Sequence, residues 1–108
     1  MKEKLLSLLG IATRAGKTAM GFDADADVMK KGRAFLLVLA NDLSERTERT
    51  IRQTAEQTQT PVVPSGFDMD SLGRAVGRKK TGIIAISDSG FAQTIKAICT
   101  ENSQEECI

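Results

Sequence analysis

With 108 residues, the chain has room for one hydrophobic core and no second one. Apolar residues at 41% and charged residues at 27% exclude a disordered polymer, and the longest apolar run, residues 34–40, is too short to cross a bilayer. The net charge of +1 hides an asymmetry: all fifteen basic but only eleven acidic side chains fall in residues 1–99, while the last nine residues add Glu101, Glu105 and Glu106 and no base. A basic body with a short acidic tail suits a polyanionic partner.

Leu5, Leu6, Leu8, Leu9 and Ala12 recur at helical spacing, so residues 3–15 read as an amphipathic helix that Gly16 stops. The apolar stretch of this segment has helical spacing and a glutamate between its lysines, so no signal peptide is expected. After Gly21, residues 23–31 begin with aspartates and end with lysines. That polarity complements a helix dipole, and Gly32 closes the segment. Residues 35–40 are apolar throughout and of strand length, which predicts a strand buried on both faces. Ser44 is a good N-cap for a helix over residues 45–59. There Glu45/Arg49 and Glu48/Arg52 pair at i,i+4 for about 0.3 kcal/mol each, and Leu43, Thr47, Ile51 and Ala55 form the inner stripe. Residues 61–63 predict a short strand, and Pro64, Ser65 and Gly66 a turn. Asp68 caps a helix over 69–76 that Gly77 stops, residues 83–86 form a further buried strand, and Asp88 or Ser89 caps a last helix that turns Phe91, Ile95 and Ile98 inward. Alternating helices and buried strands predict a three-layer α/β/α sandwich. The expected organisation is a single domain over residues 1–99 and a short acidic tail over 100–108.

Several motifs resemble catalytic or metal sites and fail on spacing. Gly10 to Thr18 looks like a phosphate-binding loop, yet five residues separate Gly10 from Gly16-Lys17-Thr18 where four are needed, and a helix precedes it instead of a strand. Asp23, Asp25 and Asp27 look like the start of a calcium loop, but Val28 and Ala34 stand where glycine and glutamate are required. The aspartates read instead as favouring a helix N-terminus. There is no histidine, and Ser65, Ser87 and Ser89 have no candidate base. Two cysteines, Cys99 and Cys107, make neither a zinc site nor a disulfide framework, and Cys99 falls on the apolar face with Ile95 and Ile98. Without Trp or Tyr, base-stacking platforms are not expected. No enzyme activity, cofactor or metal follows from these residues.

One basic feature remains. Arg74, Arg78, Lys79 and Lys80 fall within seven residues, with no acidic residue between Ser71 and Ser87. A charge run of this kind is commonly a solvated face, but functional contacts concentrate on loops such as the one before residues 83–86. Arg14 and Lys17, at the end of the first helix, are placed to share a rim with that loop if the helices pack as a sandwich.

Ala15-Gly16-Lys17, Gly21, Lys31-Gly32, Leu37 to Ala40 with Asp42, Pro61-Val62, Leu72 to Gly77 and Ile84 to Ile86 follow one another in a familiar order. Over residues 4–98 this pattern resembles the kink-turn-binding ribosomal protein superfamily of the archaeal L-seven-Ae type. Arg14 to Lys17 and Asp88 to Ala92 are most similar to its bacterial YlxQ-like branch. The resemblance implies a mixed four-stranded sheet inside the α/β/α sandwich and a non-catalytic role on structured RNA, ribosomal or translation-associated, in the cytoplasm. Neither DNA nor a membrane is the expected partner. It also implies RNA contact at the start of the second helix, through a Gly-x-Asn-Glu-x-x-Lys motif, with help from the loop before the last strand. By position Gly21 matches the glycine, but Asp23, Ala24 and Asp27 replace the asparagine, glutamate and lysine. A unit charge about 5 Å from a phosphate is worth roughly 0.8 kcal/mol at water's dielectric and about 3 at an effective value of 20, and Asp27 reverses its sign. The expected RNA-binding residues are therefore Arg14, Lys17, Gly21, Asp23, Arg74, Arg78, Lys79 and Lys80, extended by Lys30, Lys31 and Arg33. The alternative is a protein–protein module on the same fold, its acidic second helix facing a basic partner.

Overall fold

The structure, a computed structural model, describes residues 2–106 and the side chains of residues 3–99. Its elements run α1 (Lys2–Arg14), β1 (Thr18–Met20), α2 (Phe22–Lys30), β2 (Leu36–Leu39), α3 (Glu45–Gln57), β3 (Val62–Pro64), α4 (Met69–Val76), β4 (Ile83–Ile86) and α5 (Ser89–Glu106). β2 and β4 are apolar at every position because both of their faces are covered. Their alternation sorts the core into two halves. Leu36, Val38, Ile84 and Ile86 join Leu5, Leu9, Leu72, Val76, Ile95 and Ile98 from α1, α4 and α5. Leu37, Leu39, Ile83 and Ala85 join Met29 of α2 with Ile51 and Ala55 of α3. The layers are thus three helices, a sheet and two helices.

The sheet order is β1-β4-β2-β3; β4 is antiparallel to both neighbours and β2 is parallel to β3. This is the mixed four-stranded sheet that the resemblance implied. The residues alone predicted only three of its strands. β1 has three residues, all half-buried, and its register is set by β4, more than sixty positions away: Thr18 faces Ile86 and Met20 faces Ile84. Local pattern carries little information about a strand so short and so dependent on a distant partner.

The capping expectations hold at the atomic level. Ser44 Oγ accepts from the Thr47 backbone N–H at 3.2 Å, Asp68 Oδ1 from Ser71 N–H at 2.8 Å, and Asp88 Oδ2 from Phe91 N–H at 2.9 Å. Gly77 closes α4 in the left-handed region at φ 81°, where a side chain would be strained. Glu48 and Arg52 pair at 3.1 Å, whereas no ion pair joins Glu45 to Arg49. α5 carries helical backbone to Glu106, through most of the segment read as an acidic tail, and Cys107 lies outside the described residues.

Candidate nucleic-acid interface

Strand direction decides which residues meet. β1, β2 and β3 run parallel, so their carboxyl ends share one edge of the sheet, and the antiparallel β4 begins at that same edge, where Ile83 faces Leu39 and Ile84 faces Met20. Each parallel strand leads from this edge into a helix, so the N-termini of α2, α3 and α4 gather there. Aligned peptide dipoles make such ends attractive to anions. Here Asp23, Glu45, Glu48 and Asp70 already occupy the first helical turns and oppose that attraction.

The loop from Gly77 to Gly82 supplies the uncompensated charge. Arg78, Lys79 and Lys80 are exposed, and among the described residues they form no ion pair. Their backbone is firmly held. Arg78 N–H donates to Gly73 O at 2.7 Å, Thr81 N–H to Met69 O at 3.0 Å, and Ala40 N–H to Gly82 O at 2.9 Å. Gly73 permits this return along α4: a Cβ there would stand 2.7 Å from Lys79 O and 2.9 Å from Arg78 O. Asp42 braces the same corner by accepting from Met69 N–H at 3.0 Å. Three basic side chains are therefore carried on a backbone fixed at both ends.

Gly21 and Asp23, both exposed, lie at this edge with the loop. Lys17 does not. Its carbonyl accepts from Ser87 N–H at 2.8 Å, at the far end of β4. The four residues of β4 separate Gly82 from Ser87, five steps and about 16 Å of extended chain. The expected rim is therefore split, because β4 runs antiparallel to β1 and puts its own start beside the end of β1. Lys30, Lys31 and Arg33 follow α2 to the Lys17 side, and Lys31 pairs with Asp27 at 3.0 Å. Arg14 and Arg74 form a third group, lining one cleft between α1 and α4.

The aspartates of α2 divide as well. Asp23 and Asp27 are exposed, but Asp25 is fully buried. Its Oδ1 accepts from Ala85 N–H in β4 at 2.9 Å, and its Oδ2 has no hydrogen-bond partner. Burial pushes the carboxyl up to about 8, so it is protonated at neutral pH. Reading all three aspartates as dipole partners missed this one. The sequence did hold a signal: Asp25 stands four residues before Met29, on the same face of the helix, and both are buried. Ser65 is also buried, its Oγ accepting from Phe67 N–H at 3.1 Å within its own turn. Cys99 is a buried free thiol, pushed up to about 11 by the same loss of solvent.

Residues 3–96 match the Ribosomal protein L7Ae/L30e/S12e/Gadd45 family. The chain belongs to that family. It is 30% identical over 88 residues to the RNA-binding protein YlxQ of Bacillus subtilis (strain 168), spanning 82% of this chain and 87% of that protein. A solved structure of a Bacillus halodurans protein of unknown function superposes with a TM-score of 0.84 at 30% identity, covering 90% of this chain and 97% of the other. The Giardia lamblia 15.5kD RNA binding protein shares the fold, with a TM-score of 0.73 at 20% identity over 90% of this chain and 82% of that one. In this L7Ae-family chain, the start of the second helix and the end of the basic loop meet at the edge where Met20 faces Ile84. No helix among the described residues is long and apolar enough to cross a membrane.

Proposed function

We propose that this protein binds structured RNA without catalysing a reaction, through the sheet edge that carries Arg78, Lys79 and Lys80 beside Gly21, and that it serves in the cytoplasm in a ribosomal or translation-associated role. The observation that carries the reading is the braced loop: three adjacent cations on a fixed backbone, free of ion pairs among the described residues, at an edge where three helices begin. Backbone phosphates are the ligand such a surface suits, since phosphate contacts supply most of the affinity and fix the register. The family membership and the printed description of YlxQ as RNA-binding support the same reading. Asp23 accepts hydrogen bonds but cannot donate them, and Ala24 offers no polar group, so base recognition at the start of α2 contributes less than the loop does.

The test measures binding to a kink-turn RNA, a plain duplex and a single strand across a salt series. A Lys79→Gln/Lys80→Gln variant is expected to weaken binding to all three and to lower the logarithmic salt slope by about 0.7–0.9 for each phosphate contact removed. A variant that binds as tightly as the wild type, with the same slope, refutes the role of the loop. Preference for the kink-turn RNA assigns base recognition to the start of α2 despite its altered residues. Absence of any RNA binding favours the protein–protein reading, in which Asp23 meets a basic partner.

A further inference from the structure

α1 and α4 cross at Gly10, whose missing side chain lets the helices touch: a Cβ there would stand 2.8 Å from Ala75 O. Beside this contact lies an open cleft of about 430 Å³, lined by Leu6, Ser7, Gly10 and Arg14 of α1 and by Ser71, Arg74 and Ala75 of α4. Two guanidinium groups from separate helices thus face one space, and no carboxylate lines it. Arg14 lies back along its own helix, with Nη2 3.9 Å from the position of a Gly10 Cβ. Asp68 is the carboxylate whose titration Arg74 influences, but the Ser71 backbone N–H and hydroxyl already hold it and keep it below the usual carboxylate range. Among the described residues neither arginine forms an ion pair, and Ser7 is exposed.

We infer that this α1–α4 cleft holds a backbone phosphate of the bound RNA between the Arg14 and Arg74 guanidiniums, which rests on the RNA-binding reading above. Each guanidinium presents a planar fork that matches two phosphate oxygens, and two forks converging from different helices select an anion with several oxygens over a single carboxylate. Ser7 adds a hydroxyl donor on the α1 wall. Continuity with the loop favours a polymer as the source of the phosphate: Arg74 is four residues before Arg78, so cations follow one another from the loop along the end of α4 to Arg14. The cleft is open to solvent, which gives a phosphate still joined to its chain a way in. RNA seated there lies across α1 and α4 as well as along the sheet edge, so its footprint reaches a helix layer that α2 does not belong to.

The experiment compares Arg14→Gln/Arg74→Gln with Lys79→Gln/Lys80→Gln on the same labelled RNAs and salt series, and follows the Gly10 and Ala75 amide resonances. The expected result is a salt slope lower by about 0.7–0.9 in the arginine variant, for the one phosphate it no longer holds, additive with the lysine variant, and RNA-induced shifts at both amides that the arginine variant loses. Arg14→Lys/Arg74→Lys is expected to keep the slope but bind several-fold more weakly, because charge remains and the forks do not. An arginine variant that binds RNA like the wild type while the lysine variant fails overturns the cleft and leaves the loop standing. Wild-type protein that binds no RNA overturns both. Inorganic phosphate and a 5′-mononucleotide separate the sources: a mononucleotide that saturates the shifts without displacing RNA overturns the backbone assignment.

Discussion

Replacing Asp25 with asparagine separates the charge of this buried group from its hydrogen bond. The wild-type carboxyl accepts from Ala85 N–H, and the amide oxygen of asparagine takes over that role. What the variant removes is ionisation. With a carboxyl held at about 8 in the folded chain, against about 3.9 in the unfolded one, the folded state keeps a proton that the unfolded state has lost throughout the interval between them. The unfolded state binds fewer protons there, so stability falls as pH rises, by about 1.4 kcal/mol per pH unit. The contribution is fully present below pH 4 and has been lost once the pH passes 8. Between pH 4.5 and 7.5 it amounts to about 4 kcal/mol, a large share of the 5–15 kcal/mol that holds a typical domain together. Urea unfolding at a series of pH values measures this directly, because the midpoint moves while the slope with denaturant stays constant. The difference between wild type and Asp25→Asn isolates the one group from every other titration. The asparagine variant is expected to overtake the wild type as pH rises, even though its buried amide leaves unpaired donors costing about 1–3 kcal/mol. Parallel pH profiles for the two proteins refute the reasoning.

Other residues make further demands. Gly73→Ala is expected to destabilise the fold by about 1–3 kcal/mol against a helix-propensity gain of about 1, because its Cβ meets the backbone of Lys79, and to weaken RNA binding by displacing the loop; thermal unfolding and the RNA titration read the two effects. Ser44→Ala removes the oxygen that accepts from Thr47 N–H and is expected to cost about 1 kcal/mol, measured by urea unfolding. In a Cys107→Ser background, Cys99 is expected to stay unmodified by a thiol reagent at pH 8 until the chain is unfolded, since burial both covers the sulfur and keeps it protonated; labelling followed by mass spectrometry decides this.

The parts legible in the sequence were those with a local cause. α4 runs over 69–76 as expected because Asp68 and Gly77 bracket it with side-chain and backbone chemistry written into adjacent residues. β2 and β4 announced themselves as apolar runs, since burial on both faces leaves no polar alternation. The parts that were not legible depend on partners far along the chain. Thr18–Met20 becomes a strand only because β4 arrives beside it. Lys17 and the basic loop were expected on one rim, but which ends of β1 and β4 coincide is a property of strand direction. Asp25 was disguised by composition: three aspartates at alternate positions look alike, and only the helical face sends one of them inward. The glycine at position 73 sets the path of the basic loop, a steric role that is invisible until the loop is seen lying on it.

The position of β4 also bears on how the chain is made. Among the described residues β1 has no hydrogen-bonded strand neighbour except β4, and β2 is joined to β1 only through it, although β4 comes last of the four in synthesis. A nascent polypeptide that has not yet delivered Ile86 from the exit tunnel has a gap at the centre of its sheet, with β1 and the apolar flanks of β2 uncovered. Closure then joins residues more than sixty positions apart, a non-local step that slows folding and leaves the early chain open to wrong strand pairings. Vectorial assembly from the N-terminus is closed to this topology; the domain is completed in one late act, when its penultimate element slides between strands made long before.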